Sequence, residues 1–257
     1  MGRLDGKVAI VPGGASGIGK RTVELFVEEG ARVIVGDLNA DGIGALIGQL
    51  GHNYVDGATV DVRDEAAVEK MVAQAMRRFG RLDVGVNNAG VGGFSPIQNY
   101  ALEDWERVIG ISLTGTFLCI KHEAKRLIEQ GQGGSIINIA SLNAAQASEG
   151  FAAYCSAKAG VAMLTKVAAL ELGRHKVRVN AIGPGRFNTE RIRQLDLAFA
   201  KRKGLTFEEV SAESFSRIPL GRYGDPAEYG KLAVFLGSEA NTYITGQTII
   251  SDGGMLR

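Results

Sequence analysis

Tyr154 and Lys158 stand four residues apart in Tyr154-Cys155-Ser156-Ala157-Lys158. On a helix they share one face, about one turn apart. A free phenol gives up its proton only near pH ~10, so it is a poor base at neutrality. An ammonium beside it favours the phenolate, and the pair becomes a candidate proton donor and acceptor. The spacing alone is common on surface helices and needs company. Ser141 supplies it, closing a predicted strand over Ser135–Ala140, where ligands of open α/β sheets bind. Its hydroxyl would hydrogen-bond a substrate oxygen as charge develops there, or would simply cap a turn.

A second constellation lies near the start, in Gly13-Gly14-Ala15-Ser16-Gly17-Ile18-Gly19. Glycines let the backbone turn tightly and approach a phosphate. The helix that follows aims free N–H groups and its positive dipole end at the anion. Asp37 ends the second predicted strand about 18 residues beyond Gly19, with Leu38 next to it. A carboxylate there accepts hydrogen bonds from both hydroxyls of an adenosine ribose and repels a 2′-phosphate, so NAD is expected over NADP. Gly14 to Lys20 also spells the start of a P-loop. Arg21 then occupies the place of the magnesium-binding hydroxyl, which excludes an ATPase of that type.

These residues need a frame. Short apolar runs alternate with amphipathic stretches, giving predicted strands at Val8–Val11, Arg32–Gly36, Ala58–Val60, Val84–Val86, Ser135–Ile139, Val177–Ala181 and Thr248–Ile250. Helical patterns fall near Gly19–Glu29, Glu65–Phe79, Leu102–Glu129, Tyr154–Arg174 and Pro226–Ser238. Several strands lack in/out alternation, as expected where helices cover both faces of a parallel sheet. The expected class is α/β: a Rossmann-like, doubly wound parallel sheet forming a single domain over residues 1–257. The charged segment 186–219 breaks the rhythm and is too short for a core of its own, so it is expected to be a helical substrate flap.

Taken together, these motifs closely resemble the short-chain dehydrogenase/reductase family. The resemblance runs from Leu4 to Ser251-Asp252-Gly253-Gly254 and includes Asp61-Val62, Asn87-Asn88-Ala89-Gly90 and Pro184-Gly185 with Thr189. It implies an oxidoreductase that moves a hydride between nicotinamide and a secondary alcohol or ketone. In that reading Tyr154 is the acid/base, Lys158 holds the nicotinamide ribose, and Ser141 orients the substrate oxygen. Gly13, Ser16, Gly17, Ile18 and Gly19 cradle the pyrophosphate of NAD, with Asp37 and Leu38 on the adenosine side. Asp61 and Val62 contact adenine, and Asn88, Ala89 and Gly90 wall the pocket. Pro184, Gly185, Phe187 and Thr189 border the nicotinamide. Relatives of this kind are commonly dimers or tetramers, so a homo-oligomer, as a tetramer or dimer, is expected.

Two departures from the family pattern stand out. Pro12 replaces a threonine at the start of the glycine turn, which predicts the loss of a link to the Asn87-Asn88 strand. Ser112 replaces the asparagine that is the fourth member of the family's catalytic set and helps hold a proton-relay water. Reduced activity is expected, with Ser112→Asn raising turnover. The alternative reading is a catalytically impaired NAD-binding regulatory or structural protein. A serine hydrolase on Ser141 is disfavoured, since no GxSxG elbow is present.

Composition agrees with these expectations. The 257 residues are 45% hydrophobic and 22% charged, with a formal net charge of +1. Nothing in that balance points to nucleic acid or a membrane surface. The two cysteines and three histidines show no metal-ligand spacing, so no metal is expected. No signal peptide is recognised at the N-terminus, and the expected address is cytoplasmic. Phe94, Phe151, Phe187 and Phe199 are candidates for an apolar substrate wall. Arg186, Arg191 and Arg193 are candidates for meeting an anion, although a solvated helix face is the preferred reading. The basic run Lys201-Arg202-Lys203 is read as solvated helix too.

Overall fold

The computed structural model describes residues 2–256. The strands are β1 (Val8–Pro12), β2 (Arg32–Asp37), β3 (Val55–Thr59), β4 (Val84–Asn87), β5 (Gly134–Ile139), β6 (Val177–Pro184) and β7 (Thr248–Ser251). They form one parallel sheet in the order β3-β2-β1-β4-β5-β6-β7. The helices are α1 (Gly17–Glu28), α2 (Ala40–Leu50), α3 (Glu65–Phe79), α4 (Leu102–Ile109), α5 (Gly115–Gln130), α6 (Ala152–Leu172), α7 (Glu190–Lys203), α8 (Phe207–Ser216) and α9 (Pro226–Gly237).

Alternate side chains along each central strand enter different cores. Ala9 and Val11 pack with Val33, Val35, Phe26 and Tyr229 on the face covered by α1 and α9. Val8 and Ile10 pack with Ile34, Met71, Leu127 and Ile136 under α3 and α5. Both faces are therefore covered, which is why these strands read as unbroken apolar runs. The strand order reverses between β1 and β4, and a cleft opens there at the carboxyl ends of the strands.

Three elements depart from the sequence expectation. β3 covers Val55–Thr59 rather than Ala58–Val60, because Val55 pairs with Val33 and the ladder runs to Thr59 beside Asp37. α2 carries Gly42, Gly44 and Gly48, poor helix formers that hid it. It forms because Asn39 caps it, accepting from the Gly42 N–H at 3.0 Å, and because Ile43 and Leu46 are buried. The long pattern Leu102–Glu129 is α4 and α5 joined through a π-turn at Gly110–Thr114. The segment 186–219 holds α7 and α8.

Candidate active site

The glycine turn joins β1 to α1. Gly13 has φ +74°, and a β-carbon there would stand 2.8 Å from the Ala89 backbone, so only glycine lets the turn lie against the end of β4. Gly19 is equally confined, by the Gly13 carbonyl and the Asn88 amide. No acidic side chain occupies the first turn of α1, leaving its positive end free for an anion. Asp37 fastens the turn from β2: its Oδ2 accepts the Ala15 N–H at 3.0 Å and its Oδ1 accepts the Asn39 N–H at 3.0 Å.

Pro12 costs less than expected. It ends β1, and its carbonyl still accepts the Asn88 N–H at 3.2 Å, while the Asn88 side-chain amide donates to the Gly13 carbonyl. Proline lacks a donor but keeps its acceptor, so the turn stays tied to β4.

At the other end of the cleft, β5 and α6 bring Ser141, Tyr154 and Lys158 to a common wall. Ser141 is almost fully buried in extended conformation, and its Oγ accepts the Asn143 N–H at 3.1 Å. That is the capping use foreseen for it, yet the hydroxyl proton remains free to donate. Lys158 Nζ lies 5.9 Å from the Tyr154 ring centroid and donates to the Ile139 carbonyl at 2.6 Å. Burial, with the charge of Arg191 added, brings the Lys158 ammonium down to about 7. It can therefore both give and take a proton near neutrality.

Ser112 is fully buried in the π-turn and does not line the cleft. Its Oγ accepts the Val91 N–H at 3.1 Å and faces the Val91 carbonyl at 3.2 Å, while its own carbonyl accepts from Thr116 Oγ1 at 3.0 Å. Gly90 separates it from the lysine. The point where a Gly90 β-carbon would stand is 3.4 Å from Lys158 Nζ and 3.5 Å from Ser112 Oγ.

The remaining expected positions fall on the same cleft, which encloses about 1150 Å³. Ser16, Gly17, Ile18 and the exposed Leu38 line one end. Asp61 and Val62 stand beside them, the Asp61 carboxylate held by Arg63 at 2.6–3.0 Å and kept ionised well into acid by that bond. Asn88, Ala89, Gly90, Pro184, Gly185, Phe187 and Thr189 line the cleft as well. Thr189 also caps α7, accepting the Ile192 N–H at 3.4 Å, and Phe187 packs edge-on against the buried Tyr229.

The segment after Thr189 supplies the outer wall. Arg186 pairs with the fully buried Asp196, which also accepts the Tyr223 hydroxyl at 2.6 Å. Phe94 meets Phe151 and Phe199 edge to face, giving an apolar surface beside Tyr154. Arg193 does not line the cleft, but Arg191 and Arg202 do. Arg202, expected as solvated helix within the basic run Lys201-Arg202-Lys203, instead faces the cleft, because α7 packs against the loop bearing Phe94.

The sequence profile described as enoyl-(acyl carrier protein) reductase matches residues 13–256. A crystal structure of a short-chain type dehydrogenase/reductase from Mycobacterium marinum superposes with a TM-score of 0.89, at 32% identity over 98% of this chain and 96% of the other. The chain belongs to the short-chain dehydrogenase/reductase family. Members of this family bind a nicotinamide cofactor, and the chain is an oxidoreductase of that kind. Among short-chain dehydrogenase/reductase relatives, D-threitol dehydrogenase of Mycolicibacterium smegmatis is 40% identical over 98% of this chain and 94% of its own length. The 3-oxoacyl-[acyl-carrier-protein] reductase FabG of Thermotoga maritima is 36% identical over 99% of both. No helix among the described residues is long and apolar enough to cross a membrane.

Proposed function

We propose that the protein is an NAD(H)-dependent oxidoreductase that interconverts a secondary alcohol and a ketone, with Tyr154 as general acid/base. The observation that carries this reading is the common wall formed by Ser141, Tyr154 and Lys158 in a cleft whose far end is closed by Asp37. The residues present fit a dinucleotide. The β1–α1 turn has no room for side chains at Gly13 and Gly19, its helix end is uncompensated, and Asp37 offers acceptor lone pairs to a ribose.

Gly13, Ser16, Gly17 and Ile18 would hold the pyrophosphate, with Asp37 and Leu38 on the adenosine ribose and Asp61 and Val62 on the adenine. Asn88, Ala89, Gly90, Pro184, Gly185, Phe187 and Thr189 would frame the nicotinamide end. When bound, the nicotinamide supplies or accepts the hydride. Ser141 donates its free hydroxyl proton to the substrate oxygen and fixes its position. Tyr154 gives its phenolic proton to the forming alkoxide, or removes the proton from an alcohol. Lys158, anchored on the Ile139 carbonyl, places a cation by the ring and hands protons onward through the gap beside Gly90. α7 and α8 act as the substrate flap.

The same reading extends to assembly. Met163, Val167 and Leu170 are exposed along one face of α6, with Phe117 exposed on the adjoining α5, an apolar surface suited to a second copy of this chain. Sedimentation of the protein against Leu170→Glu tests it: a smaller species in the variant supports association through this face, and an unchanged one removes it.

The decisive test of the activity is nicotinamide absorbance during turnover, with NADH and NADPH separately, across ketones, sugars and acyl thioesters. Tyr154→Phe is expected to lose at least ~10²-fold in turnover while still binding NADH. NADH binding without turnover of any carbonyl would favour the impaired, regulatory alternative.

A further inference from the structure

The flap distributes its positive charge unequally. Arg186 is spent on Asp196, and Lys203 and Arg217 share Glu213. Among the described residues Arg191 and Arg202 have no carboxylate partner, and both line the cleft.

Their placement is specific. Arg191 Cζ lies 5.7 Å from the Tyr154 ring centroid, its Nη1 donates to the Gly90 carbonyl at 3.4 Å, and its Nη2 is 2.9 Å from where a Gly92 β-carbon would stand. The guanidinium is thus wedged between the 90–92 turn and the ring of the candidate acid/base. It has five N–H donors, and one is engaged. Arg202 Cζ lies 4.3 Å from the Phe94 ring centroid and 4.9 Å from that of Phe199, presenting a second charge over the apolar wall.

Neighbouring acids do not cancel this charge. Glu190 Oε1 accepts from Gln194 at 2.6 Å, Glu213 is taken by Lys203 and Arg217, and Glu149, also on the cleft wall, pairs with neither arginine. A planar fork of donors beside the group that must reach the reacting oxygen dictates where an anionic part of a substrate goes. Only a short spacer separates the two.

We propose that the substrate is a hydroxy or oxo acid: a secondary alcohol or ketone whose anionic group, carboxylate or phosphate, is gripped by Arg191 close to the reacting carbon. Arg202 strengthens the attraction from the outer wall, and the Phe94, Phe151 and Phe199 cluster covers the apolar part. This inference rests on the hydride-transfer reading. Arg191 acts as a specificity-determining residue through a charge-assisted bidentate contact, which lysine reproduces only in part.

The test compares kcat/KM with NADH for matched pairs: 3-oxobutanoate against its methyl ester, and dihydroxyacetone phosphate against dihydroxyacetone. The wild-type protein, Arg191→Met, Arg191→Lys and Arg202→Met are assayed alongside. In wild type the anion of one pair is preferred, and which pair responds identifies carboxylate or phosphate. The preference falls roughly 10- to 150-fold in Arg191→Met, mostly through KM, and is partly restored in Arg191→Lys. Esters and neutral ketones used as well as the acids in wild type would overturn the proposal. So would an undiminished preference in Arg191→Met, or a loss confined to NADH affinity, which would make Arg191 a cofactor residue. If no carbonyl is reduced, the hydride-transfer reading fails, and binding of 3-oxobutanoate or dihydroxyacetone phosphate to the NADH complex decides the arginine separately. Binding lost in Arg191→Met upholds its role, and no binding in wild type ends it.

Discussion

Lys158 Nζ and Ser112 Oγ border the same small gap beside Gly90, 3.4 Å and 3.5 Å from the point where its β-carbon would stand. The lysine is buried and titrates at about 7, and the serine hydroxyl is bonded to Val91. A methyl group fits that gap without collision, so Gly90→Ala closes it while leaving the fold intact. The expected result is an unchanged Tm and a kcat lowered at least ~10-fold, read by steady-state kinetics beside thermal unfolding. Ser112→Asn, expected to raise turnover, must also preserve the two bonds to Val91, and the same assays report both effects.

Asp37 both lines the cleft and anchors the glycine turn through the Ala15 N–H. Asp37→Ala is expected to move cofactor preference toward NADPH, because the carboxylate that repels a 2′-phosphate is gone. It also removes two charge-assisted bonds to backbone, at a cost of roughly 1–3 kcal/mol. Dissociation constants for both cofactors, with denaturant unfolding, separate the two consequences.

Asp196 ties α7 to Arg186 and Tyr223. Its carboxylate is fully buried between the Arg186 guanidinium and the Tyr223 hydroxyl. Asp196→Ala strands a mostly buried cation and is expected to cost about 3 kcal/mol, with faster proteolysis within α7 and α8. Tyr223→Phe removes one neutral donor and costs about 1 kcal/mol.

Glu123 lies fully buried beneath β4, in space that exists because residue 85 is glycine. Its Oε2 accepts from Asn87 Nδ2 at 3.1 Å; among the described residues its Oε1 and Asn87 Oδ1 have no partner. Burial pushes Glu123 up to about 7. Its contribution to stability is full below the unfolded value of ~4.3 and is lost as pH rises through about 7. Lys158 has the opposite sign: its contribution is present above the unfolded value of ~10.4 and is lost as pH falls through about 7. Unfolding free energies are expected to lose their fall between about pH 5 and 7 in Glu123→Gln, and their rise between about pH 7 and 10 in Lys158→Met.

Much of the site was legible because its chemistry is local. Tyr154 and Lys158 share a face through the helical repeat alone, and the strand–turn–helix around Gly13–Gly19 needs only glycines at confined positions. The misplaced β3 shows the limit: Ala58 looked like the start of a strand, but register with β2 selected Val55. α2 was hidden by its glycines and is secured by burial of Ile43 and Leu46.

The sequence by itself determined the parallel α/β frame, the positions of Asp37, Ser141, Tyr154 and Lys158 on it, and the membership those motifs announce. Only the tertiary structure decided which arginines face the cleft, turning Arg186 onto Asp196 while leaving Arg191 and Arg202 without a carboxylate partner among the described residues. It likewise turned the Ser112 hydroxyl onto Val91 and buried Glu123. The physical reason is range. Helical and strand periodicities carry orientation along one element, whereas a side chain's partner across a loop depends on how separate elements pack.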